Sequence, residues 1–510
     1  MIFILHPPSR REIDKMVIST YNSYFVLVNI IKMAEQSLKK RTLNGLLWNG
    51  LQRFGALGIS FIANLVLVRL LDASVFGAIG ILLVFVAISQ SIVDGGFTAA
   101  LIQRKDVTQT DYSTVFYWNL TVSTLMVLVL YCSAPFIAEY FSEPILCNVL
   151  RVQSILLIIH ALCVVQTARL TKELSFKVLA IRTLIATFTG VIVAIVMAYN
   201  GFGIWSIVAQ ELTVATIGTI LLWAYCNWKP SLTFSWKSFK GMFKFGSFVF
   251  LSSICETLYT NVQSIIIGRS FSITDLGYYT QAKKLETVPV SGATAVLSQV
   301  LFPAYSSINN DYDKLKTIVR KNINVITYFA FPIMLLLAIV SEPLLTILYT
   351  DKWVESIPMF QILCLGGMFY PLNICNTMLF KALGYGKVFF ILQTIKRLIN
   401  LTFILLSVRY GLYAMLWAVT ITQVLSYIMN LIYTHKLFNY SVTEQLADII
   451  PNLINTLMIG GIVYYIQSQV EIDNNIIQLI IVGAMFTLLY FGASKILKLK
   501  SIKHIHSLWK

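Results

Sequence analysis

The fold is decided by the stretch Phe245–Tyr305, which reads FGSFVFLSSICETLYTNVQSIIIGRSFSITDLGYYTQAKKLETVPVSGATAVLSQVLFPAY. Two long apolar runs lie on either side of a short polar connection at residues 269–277. The second run carries Lys283, Lys284 and Glu286 in a segment that is otherwise compatible with lipid. The pattern predicts two long membrane helices and places charged side chains inside the second one.

The polar connection repeats a stretch near the start of the chain. Residues 69–77 read RLLDASVFG and residues 269–277 read RSFSITDLG, so an arginine and a glycine recur at the same offset. Each stretch lies where one long apolar run ends and the next begins. Because six apolar runs precede the restart near Phe245, both halves enter the membrane in the same direction. We therefore expect a parallel pseudo-repeat of two six-helix lobes, followed by two appended helices.

The composition excludes a water-soluble protein. Of the 510 residues, 57% are hydrophobic and 12% are charged, and the mean hydropathy is +0.75, whereas a soluble domain has about 25% charged residues. The apolar runs have about 20 residues, the length of a helix that crosses a bilayer. They are not the alternating segments of about ten residues that build outer-membrane barrels. The sequence predicts an all-α polytopic membrane protein.

Basic residues gather in alternate connections between the apolar runs, which number about fourteen. An even number of spans puts both termini on one side, and the positive-inside rule makes that side the cytoplasm. Because the net charge of +16 is spread over short loops, it does not indicate a nucleic-acid partner. The predicted spans are 43–69, 77–102, 113–134, 147–168, 179–199, 203–226, 243–268, 278–306, 322–341, 356–381, 387–408, 412–434, 447–468 and 475–496.

These features divide the chain into four expected regions. Residues 1–36 form an N-terminal extension, either disordered or translated from an upstream start, because their apolar patch is too short to cross a bilayer. Residues 37–240 form the first lobe with helices 1–6, and residues 241–438 form the second lobe with helices 7–12. Residues 439–510 contain the two appended helices and a basic cytoplasmic tail.

Three stretches together resemble a known family. A basic lead-in, SLKKRTLNGLLWNGLQRFG at residues 37–55, precedes RLLDASVFGAIGI, and the second half carries GRSFSITDLGYYTQAKKLETVP at residues 268–289. The chain resembles the polysaccharide transporter branch of the multidrug/oligosaccharidyl-lipid/polysaccharide exporter superfamily, which contains bacterial O-antigen and capsule flippases. The resemblance covers about residues 37–500, and YYTQAKKLETVP is its most specific part.

The resemblance implies a function. Two six-helix lobes would surround a central cavity and move a polyprenyl-diphosphate-linked oligosaccharide across the inner membrane by alternating access. It implies an undecaprenyl-diphosphate-linked glycan and membrane lipids as partners, with glycan polymerase and export proteins as further candidates. It implies no catalytic residue, no cofactor and no metal, so the protein would not be an enzyme.

Charged residues inside the predicted spans are the candidate binding residues, because a charge at the bilayer centre must face a cavity or a partner. Cations outnumber acids among them, which suits a diphosphate substrate. A structural interpretation stands beside each one. Lys283 can pair with Glu286 three residues on, and Arg53 can pair with an acid of a neighbouring span. The candidates for the central cavity are Arg53, Asp94, Glu256, Lys283, Lys284, Glu286, Lys396 and Arg397.

Two other functions stay open. A cation-coupled drug exporter of the same superfamily would favour twelve spans and acidic cavity residues. A membrane glycan polymerase or ligase would need a sizeable outer domain with catalytic residues, and the longest outer connections, near residues 135–146 and 342–355, are short. The sequons at Asn119 and Asn400 fall inside predicted spans, so we interpret them as chance matches.

Overall fold

The structure is a computed structural model that describes residues 44–45, 47–308, 310–470 and 472–508. The expected extension at residues 1–36 lies outside them. Within the described residues the chain is helical, with turns and loops but no β-strand. This confirms the predicted all-α class.

In the first half the structure describes nine helices, some of which join end to end into one span. They are α1 Leu47–Leu70, α2 Ala73–Asp94, α3 Phe97–Gln103, α4 Gln109–Tyr140, α5 Ile145–Gln153, α6 Ile155–Ala161, α7 Val164–Lys172, α8 Phe176–Tyr199 and α9 Ile204–Tyr225.

The second half repeats this plan and is followed by three more helices. They are α10 Trp236–Ser270, α11 Ile273–Ser306, α12 Tyr312–Ile339, α13 Ser341–Tyr349, α14 Ser356–Gly367, α15 Tyr370–Ala382, α16 Gly386–Ser407, α17 Leu412–Phe438, α18 Val442–Gln469, α19 Asn475–Ile496 and α20 Lys500–Leu508.

The predicted number of about fourteen spans agrees with the number of long helical segments in the structure. Twelve segments of the described chain are long and apolar enough to cross a membrane by length and composition. The other two are α10 and α11, which have 35 and 34 residues and exceed the length that a bilayer requires. Both helices carry polar and charged residues of the deciding stretch.

The ends of the spans gather at two faces of the molecule, because successive helices run in opposite directions. We call the face at which α1 begins the terminal face and the opposite one the far face. On the terminal face, the Lys172 ammonium donates to the carbonyl of Lys105 at 3.1 Å. On the far face, the Arg69 guanidinium donates to the carbonyl of Leu348 at 3.1 Å. Connections that are distant in sequence thus meet at each face.

The two halves cross where α2 meets α11, near the far face. A Cβ atom on Gly77 would lie 1.8 Å from the carbonyl oxygen of Ile273, and one on Gly277 would lie 1.8 Å from that of Ala73. The contact is reciprocal between equivalent positions of the two halves, as a two-fold relation requires. Only glycine permits so close an approach of two helix backbones, which explains why it recurs at the predicted offset.

Helix α10 begins the second half in sequence but packs against the first half. Its Phe239 ring lies 5.4 Å from the Phe97 ring of α3, centroid to centroid. A Cβ atom on Gly96, just before α3, would lie 2.2 Å from the carbonyl oxygen of Gly246 in α10. Helix α10 therefore lies between the halves, with α11 following it directly.

The appended helix α18 is held to α12 by a buried polar network. The Arg320 guanidinium of α12 donates to both carboxylate oxygens of Asp448, at 2.7 and 3.1 Å, and the Tyr440 hydroxyl donates to the same carboxylate at 2.6 Å. Deeper in the membrane, the Asn452 amide donates to the Thr327 hydroxyl at 2.8 Å. These bonds attach α18 to the second half.

Candidate functional site

The first polar site lies where α1 meets α11. The Lys284 ammonium donates to the Asn64 side-chain carbonyl at 2.7 Å, and the Asn64 amide donates to the Gln281 side-chain carbonyl at 2.9 Å. Asn64 and Gln281 are buried, whereas Lys284 is exposed. Lys284 lies about 17 Å from the far-face end of α11, at 1.5 Å per residue. No described acid pairs with it, so it is an uncompensated cation at depth.

The neighbouring lysine is neutralised. The Lys283 ammonium lies 2.8 Å from a Glu286 carboxylate oxygen, the pairing that their spacing of three residues predicts. The Glu286 side chain is only 4% exposed, and it lies so close to α14 that a Cβ atom on Gly367 would be 2.9 Å from it. The pair therefore attaches α11 to α14.

Arg53 lies on the same face of α1 as Asn64. A polar stripe runs along this face of α1. Its residues are four or seven positions apart, which places them on one side of a helix: Asn49, Arg53, Ser60 and Asn64. Arg53 is exposed and forms no ion pair with any described residue. It lines a cavity of about 400 Å3 together with Asn49, Gln52, Ala56, Leu57, Ser60 and Thr183.

Asp94 ends α2 at a break in the predicted second span. Gly95 and Gly96 have φ of 52° and 75°, a left-handed backbone that glycine adopts without strain. Asp94 accepts a hydrogen bond from the Thr98 hydroxyl of α3. The structure places Asp94 at this break and does not pair it with Arg53.

The second polar site is a pocket of about 260 Å3 formed by α10, α15, α16 and α17. It contains three of the sequence-predicted residues, and most of its other walls are amides and hydroxyls. The Arg397 guanidinium pairs with the Glu256 carboxylate and lies 5.1 Å from the centre of the Tyr259 ring. The lining residues are Glu256, Tyr259, Tyr370, Asn373, Ile374, Thr377, Gln393, Lys396, Arg397, Asn400, Thr422, Gln423 and Ser426.

Lys396 is buried in this pocket without an acidic partner. Its ammonium donates to the Asn430 side-chain carbonyl, and the Asn430 amide donates to the Asn373 side-chain carbonyl at 2.8 Å. Asn373 donates in turn to the backbone carbonyl of Gln423 at 3.5 Å. Two amides therefore orient the ammonium while its charge stays uncompensated.

The halves are joined mainly at the far face. With α10 left aside, the first half comprises the described residues of 44–235 and the second half those of 273–508. Every hydrogen bond or ion pair between these two sets involves Asn64 or a first-half residue closer to the far face than Asn64. Trp353 is 1% exposed, and its indole donates to the carbonyl of Val68 at 3.0 Å. Lys352 pairs with Asp72 at 3.3 Å. The two halves therefore separate from each other toward the terminal face.

Sequence reasoning missed the amides and tyrosines that build both sites. It considered charges alone, and it set Asn400 aside as a chance sequon. Asparagine or glutamine inside an apolar run was the available signal, because a buried amide in a span needs a hydrogen-bond partner. The missed residues are Asn64, Gln281, Asn373, Asn400, Gln423, Asn430, Tyr259 and Tyr370.

These features define a class, a helical membrane protein of two pseudo-symmetric halves that meet at one face. The chain matches the family described as "Polysaccharide biosynthesis protein" over residues 66–358. This is more than half of its length, and the chain belongs to that family.

The chain is also similar to two curated proteins and to one solved structure. The succinoglycan biosynthesis transport protein ExoT of Rhizobium meliloti (strain 1021) is 27% identical over 347 residues, 67% of this chain and 69% of that protein. The lipopolysaccharide biosynthesis protein WzxC of Escherichia coli (strain K12) is 25% identical over 334 residues, 65% and 68% of the two chains. The lipid II flippase MurJ, in an inward closed conformation, superposes with a TM-score of 0.72 at 17% identity over 89% of this chain and 98% of MurJ. This chain therefore has the fold of MurJ.

Proposed function

We propose that this protein translocates a polyprenyl-diphosphate-linked oligosaccharide, a repeat unit of O-antigen, capsule or exopolysaccharide, across the bacterial inner membrane by alternating access. Membership of the polysaccharide biosynthesis family and the fold shared with MurJ support the proposal. One observation carries it. Arg53, Lys284 and Lys396 lie within the spans, and none has an acidic partner among the described residues. Such cations must meet water or an anion, and a diphosphate is the invariant anion of this substrate class.

The candidate residues divide into two roles. Arg53, Lys284 and Lys396, which have no acidic partner among the described residues, would contact the substrate. Their charge is spread along the route so that binding stays reversible. The acids would hold the cations and helices in place: Glu286 through Lys283, Glu256 through Arg397, and Asp94 at the break between α2 and α3.

The direction of access follows from the closed far face. The terminal face would be cytoplasmic, since the basic connections gather there. The closed contacts of Gly77 and Trp353 then make the structure inward-facing, ready to load from the cytoplasm. Glycan polymerase and export proteins would receive the product on the other side.

Neutralising the unpaired cations tests the function. We expect Arg53→Gln and Lys396→Gln to lower glycan surface display in a host that lacks its own flippase, because each removes a charge-assisted hydrogen bond to the substrate worth about 1.5–3 kcal/mol. Arg53→Lys should keep part of the activity, since it keeps the charge but loses the bidentate fork. Immunoblots of membranes check protein level. Full display by both glutamine variants would refute the proposed mechanism.

Reporter fusions test the topology. A reporter joined after Lys237 and another joined after Lys500 should both be active in the cytoplasm, because both residues lie at the terminal face. A reporter after Lys352 should report the outside, since this residue pairs on the far face. An external result at either of the first two sites would reverse the direction of access.

A further inference from the structure

The pocket between α10, α15, α16 and α17 has a polar lining that a diphosphate does not require. A site for a phosphate group needs clustered cations or backbone amides, whereas this pocket presents side-chain amides, hydroxyls and two tyrosine rings. Of its two cations, Arg397 is already paired with Glu256. The remaining groups donate and accept hydrogen bonds in nearly equal measure.

To the wall of this pocket, Asn400 contributes a buried acceptor that has no partner among the described residues. Its side chain is 4% exposed and lines the pocket, and its amide donates to the Thr422 hydroxyl at 2.6 Å. The Thr422 hydroxyl donates its own hydrogen to the carbonyl of Val419 at 2.8 Å, so it must accept from Asn400. This fixes which side of the Asn400 amide carries the oxygen. That oxygen has no partner among the described residues.

The free Asn400 oxygen calls for a hydrogen-bond donor, because a buried acceptor without a partner is costly. A diphosphate ionised at neutral pH has no proton to donate, and a hydrocarbon chain has no polar group. A sugar hydroxyl can donate to this oxygen and can also accept from the Lys396 ammonium, one helical turn before Asn400 in α16.

The two tyrosines add a surface of the right kind for a sugar. Tyr259 is half-buried on the α10 side, and Tyr370 is 41% exposed on the α15 side. A tyrosine ring combines an apolar face with a polar tip, which matches a pyranose ring with its C–H face and hydroxyl edge. The volume of about 260 Å3 lies just below the range of about 300–1,000 Å3 that is typical of small-molecule sites. This suits one sugar ring and not a whole oligosaccharide.

We propose that this pocket is a glycan subsite, which binds one hexopyranose residue of the lipid-linked oligosaccharide through Asn400, Lys396 and the two tyrosine rings. The inference rests on the proposed function for its substrate class. The diphosphate then lies elsewhere, along Arg53 and Lys284. A site built to hydrogen-bond a hydroxyl rejects analogues that lack it, so the pocket contributes to the choice of glycan.

Binding to the purified full-length protein in detergent tests the subsite. The probes are methyl hexopyranosides, neutral and uronic, and inorganic diphosphate, each followed by saturation-transfer NMR. We expect at least one glycoside to bind the wild type, and Asn400→Leu to weaken it about tenfold or more while diphosphate binding is unchanged. Asn400→Asp, which keeps an acceptor, should retain binding. Arg53→Gln should weaken diphosphate binding and spare the glycoside.

Asn376→Leu is the matched control. Asn376 is a buried amide of α15 that accepts from the Thr434 hydroxyl at 3.3 Å but does not line the pocket, so its loss should leave both probes bound. If Asn400→Leu fails to fold, Tyr370→Ala removes the exposed ring at the pocket instead and should weaken the glycoside alone.

Three outcomes would overturn the subsite: no glycoside binds the wild type, Asn400→Leu leaves glycoside binding unchanged, or it weakens glycoside and diphosphate alike. Failure of the proposed function shows differently, as a wild-type chain that does not restore glycan display in a flippase-deficient host. The two failures are therefore distinguishable.

Discussion

At the scale of single residues, the partner of each membrane lysine decides what that lysine can do. Lys284 and Lys396 each donate to an asparagine oxygen, which orients an ammonium without cancelling its charge. Lys283 instead pairs with the nearly buried Glu286, and a paired charge has no surplus for a substrate. Two adjacent lysines of α11 thus have different roles, although their sequence positions alone make them look equivalent.

The contrast between these lysines gives a prediction. Lys284→Gln should lower glycan display about tenfold or more, because it removes a charge-assisted contact of about 1.5–3 kcal/mol, while the protein level in the membrane stays normal. Lys283→Gln should instead lower the amount of folded protein, because it leaves the Glu286 carboxylate buried and unpaired. Quantitative glycan immunodetection and membrane immunoblots measure the two effects.

A double variant separates charge from structure at this site. Lys283→Gln combined with Glu286→Gln removes both members of the pair and should recover much of the protein level. Equal loss of display in Lys283→Gln and Lys284→Gln, at equal protein level, would contradict the division of roles.

At the scale of helices, the sequence predicts most of the architecture because hydropathy and run length determine a span. The restart at residues 269–277 predicts equivalent helices in the two halves, since an arginine and a glycine recur at one offset. That these helices, α2 and α11, also cross each other at their glycines is seen only in the structure. The break between α14 and α15 falls between Gly367 and Pro371, residue types that interrupt helices, whereas the break between α5 and α6 follows no comparable pattern. The hydrogen-bonded amides of Asn64 and Asn400 depend on which helices become neighbours, and a single sequence does not show this.

The attachment of α18 to α12 gives a prediction at the same scale. Asp448 is 2% exposed and accepts from Arg320 twice and from Tyr440 once. Asp448→Asn should lower the thermal stability of the purified protein, because it replaces a bidentate charged contact by an amide. A double-mutant cycle with Arg320→Gln should give a coupling free energy of about 1.5–3 kcal/mol, the range for hydrogen bonds to charged groups.

An exposed pair provides the comparison for this cycle. Arg169 and Glu173 form an i,i+4 pair at 2.8 Å with side chains 36% and 48% exposed. Surface pairs of this kind contribute about 0.3–0.5 kcal/mol, so Glu173→Gln should change the melting temperature little. A coupling free energy between Asp448 and Arg320 as small as that of an exposed pair, about 0.3–0.5 kcal/mol, would show that α18 is held by apolar packing alone.

At the scale of the whole molecule, the two halves are joined, apart from α10, by a small set of polar and aromatic contacts and a glycine crossing toward the far face. Trp353 fills the space between them, with Phe76 and Tyr278 ring centres at 5.6 and 5.7 Å. The Lys352–Asp72 pair is exposed and therefore weak. The crossing of Gly77 and Gly277 is the contact that a single added methyl group would disrupt. A transporter must break such contacts to expose its cavity on the other side.

The glycine crossing allows the balance between the two conformations to be changed without touching a charged residue. A methyl group on Gly77 or Gly277 would lie 1.8 Å from a backbone oxygen of the opposite helix, so the far face could close only after the helices shift. Overpacking of this kind costs about 1–3 kcal/mol. That free energy corresponds to a change of about 5- to 150-fold in a conformational equilibrium.

We therefore expect Gly77→Ala and Gly277→Ala to shift the protein toward a state that is open at the far face. Spin labels on exposed residues of the two halves measure this: Phe202 and Tyr410 at the far face should move apart, while Leu232 and Lys436 at the terminal face should approach. Gly58→Ala and Gly292→Ala are the matched controls, because a Cβ atom at either position meets nothing within 4 Å and the change only raises helix propensity. Unchanged distances in both crossing variants would mean that the far face is not held closed by this glycine pair. Equal shifts in the controls would assign the effect to helix stiffness instead.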